Sequence, residues 1–413
     1  MKRWPSIPLP EAYWFQEGPG VRKWQFRSSG VKLLNVANIT KEGILDLSKS
    51  DRHLAAEEVA EKYSHFLIDD GDLVIASSGI SFDEDGLLRT RGGFVKTHHL
   101  PLCLNTSTIR FKAKAGLSSL AFLRYWLDSR EFRSQITRLV TGSAQQNFGP
   151  SHLQATRISL PPLLEQERTV KLLDEADELR KLRTQADCRT DEFIPALFHE
   201  MFGRHLKSPP ILISLEETNA PKGWVWSRLT DVARLATGHT PSRRVPEYWN
   251  GHIPWISLTD IRTLDGTVAQ NTSQSVTEMG IENSSSVKLP KGTVCFSRTA
   301  SVGFVTAMGR EMCTSQDFVN WVCGDRLDPI YLMGALMQAR DHLRSLASGS
   351  THKTIYFQTV EQFSVAVPLL ALQKEFAARV GEIRAVQTEQ TTSRHRLDDL
   401  FQSLLHRAFK GEL

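Results

Sequence analysis

The chain repeats itself, and that constrains its fold more than any single motif. Residues 142–202 align without a gap onto residues 349–409, at a constant offset of 207. Gly142-Ser143 meets Gly349-Ser350, Ile158-Ser159-Leu160-Pro161 meets Val365-Ala366-Val367-Pro368, and Gln166 meets Gln373. Leu197-Phe198-His199 meets Leu404-Leu405-His406, and Phe202 meets Phe409. A fainter match lies upstream. Asn35–Ile39 corresponds to Ser257–Ile261, and Gly71–Ile75 to Gly292–Phe296. The order is mixed domain, helix, mixed domain, helix, and 413 residues suffice for two such domains with their own cores.

Within each mixed part, short apolar runs bounded by turn residues predict strands. These are Lys32–Ile39, Gly71–Ala76, Ser107–Phe111, Thr156–Leu160, Ile253–Ser257, Thr293–Phe296, Phe318–Val322 and Phe363–Val367. Leu117–Leu139 and Pro329–Leu346 read as helical.

Each unit then closes with a long helix. Leu172, Ala176, Leu179, Arg183, Ala186, Thr190, Phe193 and Leu197 step alternately by four and three. Phe376, Val380, Ile383, Gln387, Gln390, Arg394, Leu397, Phe401 and Leu404 do the same. This is heptad spacing, and neither helix buries such a stripe alone. The residues expected to carry the pairing are Leu172, Ala176, Leu179, Leu197, Phe376, Val380, Ile383, Leu397 and Leu404. Pro195 is expected to interrupt the first helix before Gly203, and Gln402 at the matching place leaves the second unbroken. Residues 165–203 would span roughly 58 Å at about 1.5 Å per residue. The next domain begins near Trp224, about twenty residues on, so the second helix is expected to return antiparallel. The expected fold class is α+β. Two similar mixed α/β domains are joined by two long helices in an antiparallel coiled coil, with a pseudo-two-fold internal repeat. The expected boundaries are 1–160, 161–206, 207–367 and 368–413.

Composition narrows the function. No apolar run reaches the ~18–20 residues of a membrane span, and the N-terminus lacks a signal-peptide core, which points to the cytoplasm without membrane attachment. The five cysteines are scattered, with no C-x-x-C pair, so neither a zinc site nor a disulfide framework is expected. Net charge is +4, but residues 1–160 hold 21 basic against 16 acidic residues, and 161–206 hold 7 against 10. The helix region is therefore the part least suited to lie on phosphate. There is no N/D-P-P-Y/F methyltransferase loop, no lysine after a glycine to make a phosphate-binding loop, no lysine two residues after an acid, and no G-x-S-x-G. No catalytic residue and no metal ligand is assigned.

Thr237-Gly238-His239-Thr240-Pro241-Ser242, followed by Pro246–Ile256 and Asp260, resembles the opening of a target-recognition domain in specificity subunits of Type I restriction-modification systems. Leu160–Gln166 and Val367–Gln373 resemble that family's helix junctions, and Gly411-Glu412-Leu413 its close. The first domain departs from the pattern. The resemblance implies a non-catalytic subunit in which each domain reads one half of a bipartite site on double-stranded DNA. It implies that the helices set the gap and carry two modification subunits. Those subunits would use S-adenosylmethionine, and a restriction subunit, where the system has one, would use ATP and Mg. The chain itself is expected to hold no cofactor. A self-sufficient DNA-modifying enzyme with an unrecognised site, and a scaffold without DNA contact, stand as alternatives.

Sequence reading requires arginine and amide groups at base edges and small polar groups on phosphate. In the second domain the candidates are His239, Thr240, Arg243, Arg244, Arg298, Thr299, Ser301, Ser350, His352 and Lys353. In the first they are Ser77, Ser78, Arg89, Arg91, Ser143, Gln145, Gln146 and Asn147. Trp224, Trp226, Trp249 and Trp255 are expected to pack rather than to stack on bases.

Overall fold

The computed structural model of the chain describes residues 4–83, 85–140, 147–213, 220–349 and 353–413. It divides into two compact units: Met1–Thr184 with Thr392–Leu413, and Gln185–Thr391. The first unit is thus assembled from two stretches far apart in sequence.

Strand order repeats with the sequence. The first unit has an antiparallel sheet in the order Tyr13–Glu17, Thr108–Ala113, Leu73–Ala76, Gly92–Phe94. The second has Ala233–Thr237, Phe318–Cys323, Val294–Ser297, Val305–Met308, with Val268–Ala269 added parallel at the edge. A smaller sheet accompanies each. In the first unit Val31–Leu33 pairs antiparallel with His53–Leu54 and parallel with Leu102–Cys103. In the second, Trp249–Ile256 pairs antiparallel with Ser275–Val276 and parallel with Cys313–Thr314. Leu73–Ala76 and Val294–Ser297 are buried throughout, which suits strands covered on both faces.

Three expected elements differ. The strand expected over Lys32–Ile39 ends at Leu33, and a 3₁₀ turn takes Val36–Asn38, because the Asn38 side chain accepts from the Asn35 N–H and closes the turn. The helix expected over Leu117–Leu139 is two, Leu120–Asp128 and Arg130–Leu139. Ser129 caps the second of them by accepting from the Phe132 N–H. Pro329–Leu346 likewise splits at Ala339.

Both helix junctions are stapled by a buried glutamine. Gln166 accepts from the Ser119 N–H and donates to the Leu117 and Pro161 carbonyls. Gln373 accepts from the Asp328 N–H and donates to the Arg326 and Pro368 carbonyls. Each amide is fully buried with its hydrogen-bonding capacity used at both ends, as a buried polar group must be.

The first long helix runs Leu163–Asp191, breaks at Glu192 and resumes as Phe193–Met201. The break lies three residues before Pro195, whose ring and missing N–H disrupt the preceding turn. The second runs unbroken over Leu370–Lys410. In the first unit Arg180 donates to Asp398 at 2.7 Å, and its guanidinium lies 4.5 Å from the Phe401 ring centre. In the second, Thr190 donates to Gln390 at 2.7 Å, and the Phe198 and Phe376 rings lie 5.5 Å apart. Within the second unit, rising numbers on one helix meet falling numbers on the other, so the pairing is antiparallel.

The seam of the first helix differs from the expected stripe at alternate positions. Leu172 and Leu179 are 37% and 52% exposed, whereas Leu173 is fully buried and Ala176 nearly so. Arg180, not Leu179, faces Phe401. Leu197 packs, partly buried, against a core that contains Phe376 and Val380. Ile383, Leu397 and Leu404 are half-buried. The buried or half-buried line on the second helix passes through 376, 380, 383, 387, 390, 394, 397, 401 and 404. Shifting that line back by 207 residues gives 169, 173, 176, 180, 183, 187, 190, 194 and 197, the buried or half-buried line on the first.

This register predicts opposite outcomes for adjacent leucines. Leu173→Ala should cost about 2–5 kcal/mol and lower the thermal midpoint of the full chain, and Leu172→Ala should cost under about 1 kcal/mol. Equal losses in thermal unfolding would contradict the observed seam.

Candidate nucleic-acid interface

The candidate loops grow out of buried strands, so their ends are fixed by core packing. In the second unit Val294–Ser297 leads into the loop 298–303. The Ser297 hydroxyl, fully buried, donates to the Ser301 carbonyl and accepts from the Phe304 N–H, holding the loop closed. Arg298 donates its N–H to the Asp317 carbonyl and accepts from the Ile355 N–H. Its guanidinium lies 4.4 Å over the Phe357 ring and donates to the Gln316 carbonyl at 3.1 Å. Burial pulls the Arg298 pKa below the ordinary guanidinium value, against the opposing attraction of Asp317. Ala300 holds a left-handed backbone at φ 58°. A side chain there costs on the order of 1 kcal/mol or more, which marks an over-determined loop.

The neighbouring loop starts at Gly238. A Cβ at this position would sit 2.2 Å from the Ser315 carbonyl oxygen, so only glycine permits the approach. The His239 N–H donates to the Thr314 carbonyl, while the His239 carbonyl accepts from the Trp255 indole and the Ser286 hydroxyl. Thr240 donates to the Gln316 side chain. The Arg243 guanidinium stacks 3.7 Å from the Trp249 ring centre and 5.0 Å from that of Trp255, and donates to Gln274 at 2.8 Å. Arg244 is exposed on the same loop. Trp255 is buried and meets Trp249 edge-on at 5.1 Å, so these tryptophans support the arginine. Gln316 joins the two loops, since it touches both Thr240 and Arg298. Thr299 bridges to Thr354, and Ser301 and Lys353 line a hollow behind the loop.

The first unit repeats this framework with different side chains. Ser77, Ser78, Asn147 and Phe148 line a hollow of about 720 Å³ together with Glu17 and His152. Phe148 donates to the Ser77 carbonyl, as Ile355 does to that of Arg298. Gly79 adopts φ 62°, matching Ala300 in conformation at the corresponding place. Arg91 donates to the Gly79 carbonyl at 2.9 Å and so belongs to the cluster. Burial raises the Glu17 carboxyl above its ordinary pKa. Arg89 does not join the cluster. It lines a separate hollow with Asp83, Asp85, Asp128 and Arg180, because its strand runs toward the helix pair. Ser143, Gln145, Gln146, Ser350 and His352 lie outside the described residues.

Two features escaped the sequence reading. The loop after Tyr13–Glu17 carries Arg22, Lys23 and Trp24, the last 73% exposed. It starts at Gly18, where a Cβ would sit 2.3 Å from the Asn105 nitrogen, the same close approach that Gly238 makes. The aligned glycine was the available signal. Tyr356, 59% exposed, stands one residue beyond Ile355 and had none.

The two glycines make a paired prediction. Gly238→Ala must push its loop off residues 314–315 and should weaken duplex binding about tenfold or more, equivalent to about 1.4 kcal/mol. Gly18→Ala should do the same for the first unit. Fluorescence anisotropy on a labelled duplex reads both, and unchanged affinity in either variant would show that its loop is not at the interface.

Comparison with known proteins follows the same division. The family model described as Type I restriction modification DNA specificity domain matches residues 31–186 and 221–394. The Type I restriction enzyme MjaIX specificity subunit of Methanocaldococcus jannaschii is 26% identical over 159 residues, 38% of this chain and 37% of that protein. The HindI specificity subunit of Haemophilus influenzae is 24% identical over 196 residues, 47% of this chain and 42% of that protein. The matches thus span about two-fifths of these relatives' length. A solved chain described under "Structural basis underlying complex assembly and conformational transition of the type I R-M system" superposes with TM-score 0.63 at 17% identity, covering 100% of this chain and 99% of its own. The Type-I restriction-modification S subunit from M. genitalium does so with TM-score 0.52 at 13% identity, covering 98% and 96%. These two likenesses bear on fold.

Proposed function

The chain belongs to the family of Type I restriction modification DNA specificity domains, and from that premise we propose that it is the DNA-reading, non-catalytic subunit of a modification complex. One observation carries this reading: the same loop framework occurs twice, once per unit, with matched backbone and unmatched side chains. Ser77 stands where the second unit has Arg298, and Gly79 where it has Ala300. Such a pair can read two different short blocks. Recognition is divided between residues 1–160 and 207–367, with an indifferent gap between the blocks, on double-stranded DNA.

Exposed apolar side chains on the helices support a place for partners. Leu179 and Val386 stand at equivalent positions of the repeat, as do Phe193 and Leu400, and their exposures are 52%, 50%, 51% and 49%. Each sits one residue before a seam position. Each unit carries one such residue from either helix. We propose that a modification subunit docks on each set, giving two per chain. The modification subunits would bring S-adenosylmethionine, and a restriction subunit, where present, ATP and Mg. This chain supplies position alone.

The direct test is methyl transfer from labelled S-adenosylmethionine to DNA. The chain with its modification subunits should methylate, and the purified chain alone should transfer nothing. Methyl transfer by the chain alone would overturn the reading. Docking has its own test. The double variant Leu179→Asp, Val386→Asp should leave the thermal midpoint within a few degrees, since both sites are exposed. It should release the modification subunits in size-exclusion chromatography. Retention of both subunits would place docking elsewhere.

A further inference from the structure

We infer that the hollow walled by Arg262, Ser301, Arg344 and Lys353 is a seat for one backbone phosphate of the duplex, private to the second unit. The inference rests on the DNA-reading function proposed above and assigns these side chains a role that fixes register rather than sequence. The hollow has a volume of about 450 Å³, and its other walls are Ala300, Val302, Phe304 and Ala347. Three cations line it, and none of the described residues lining it is acidic.

The partners of those cations are neutral or distant. Arg262 directs both Nε and Nη2 to a single acceptor, the Ser301 hydroxyl, at 3.4 and 3.1 Å. Arg344 donates Nε to the Val302 carbonyl at 3.1 Å. Its acidic neighbour Asp341 is 3.9 Å away and wholly exposed, a pair that solvent screens. Lys353 is exposed at the rim, and its carbonyl accepts from the Ala300 N–H. The Phe304 ring supplies an internal contrast. Arg340 and Arg344 both lie 5.6 Å from its centre. Arg340 is neutralised by a two-pronged contact with Asp265 at 2.7 and 2.8 Å, whereas Arg344 is left facing the hollow. Two arginines on one ring, one held closely by a half-sheltered carboxylate and one with only a distant, exposed carboxylate, is the arrangement expected when the second awaits an anion from outside.

The backbone agrees. The hollow is rimmed by the strained Ala300, and the same loop carries Arg298 two residues earlier. A phosphate seated here would sit on the same loop as Arg298. Among the described residues the first unit lacks the two arginines. The repeat sets Thr40 against Arg262 and Ile80 against Ser301. Carried a few residues upstream, the 207-residue offset sets Thr137 against Arg344. The Thr137 hydroxyl is occupied with the Leu88 N–H.

The test is a salt series. Affinity of the full chain, assembled with its modification subunits, is measured for a duplex carrying the mapped target and for an unrelated duplex. Arg344→Gln, Arg262→Gln and Lys353→Gln remove charge and keep length. Lys353, at the rim, is the variant least able to disturb folding. The slope of log affinity against log salt should fall by about 1 in at least one of the arginine variants, since one phosphate contact contributes about 0.9. Target and unrelated duplexes should lose affinity by the same factor, and the methylated sequence should not change. Inorganic phosphate, compared with chloride at equal ionic strength, should compete with DNA more strongly in the wild type than in Arg344→Gln, because both would occupy one seat; equal competition in the two would count against it. Unchanged slopes in all three variants would overturn the inference, as would loss confined to the target duplex. A wild-type complex that binds no DNA would instead sink the reading beneath it.

Discussion

Each unit of this protein is completed by a helix end that belongs to the other half of the chain, and that dependence governs the rest. Phe401, Leu405, Ala408 and Phe409 enter the first unit's core with Phe122 and Trp126. Phe198 and Phe202 enter the second unit's core with Tyr331 and Phe376. The repeat puts 198 and 202 where it puts 405 and 409. Burying each such side chain contributes about 1.5–3 kcal/mol, so neither core is complete without its borrowed helix. The buried glutamines then fix where each helix departs from its own domain. Each core thus contains residues of both long helices.

The cores carry the strands, and the strands carry the loops. Leu73–Ala76 and Val294–Ser297 are buried to their last residue, so the loops that follow leave from fixed points. Their backbones agree closely, with φ 62° at Gly79 and 58° at Ala300, and with the same cross-loop hydrogen bond from Phe148 and Ile355. Their side chains do not agree. A shared frame with private chemistry is what two different recognition blocks require.

Much of this was legible in the sequence, and the failures have physical reasons. The repeat, the two long helices and the break before Pro195 follow from spacing and from the chemistry of proline. The register of the first helix did not, because leucines occupy both Leu172 and Leu173 and periodicity alone cannot choose between them. The second helix carries Phe376, Val380 and Phe401 on one line, and that line shifted by 207 residues would have settled the first. Asn35 and Asn38 turned an apparent strand into a 3₁₀ turn through a side-chain bond that hydrophobic pattern does not register. Arg89 was grouped with Arg91 by proximity in sequence, yet Arg89 ends the short strand Leu88–Arg89 and Arg91 lies beyond it, where it reaches the Gly79 carbonyl. Arg262 and Arg344 stand 82 residues apart, and only the folded chain brings them to one hollow.

The central claim is that two units of one chain each read their own block of DNA. Its most direct measurement is long-read mapping of methylated sites in cells that carry the modification subunits with either the wild-type chain or a chain whose residues 207–367 have been replaced by those of a relative. The account predicts a split target in which one block changes, and the other block keeps its sequence. A continuous target in the wild type, or a replacement that altered both blocks together, would contradict it.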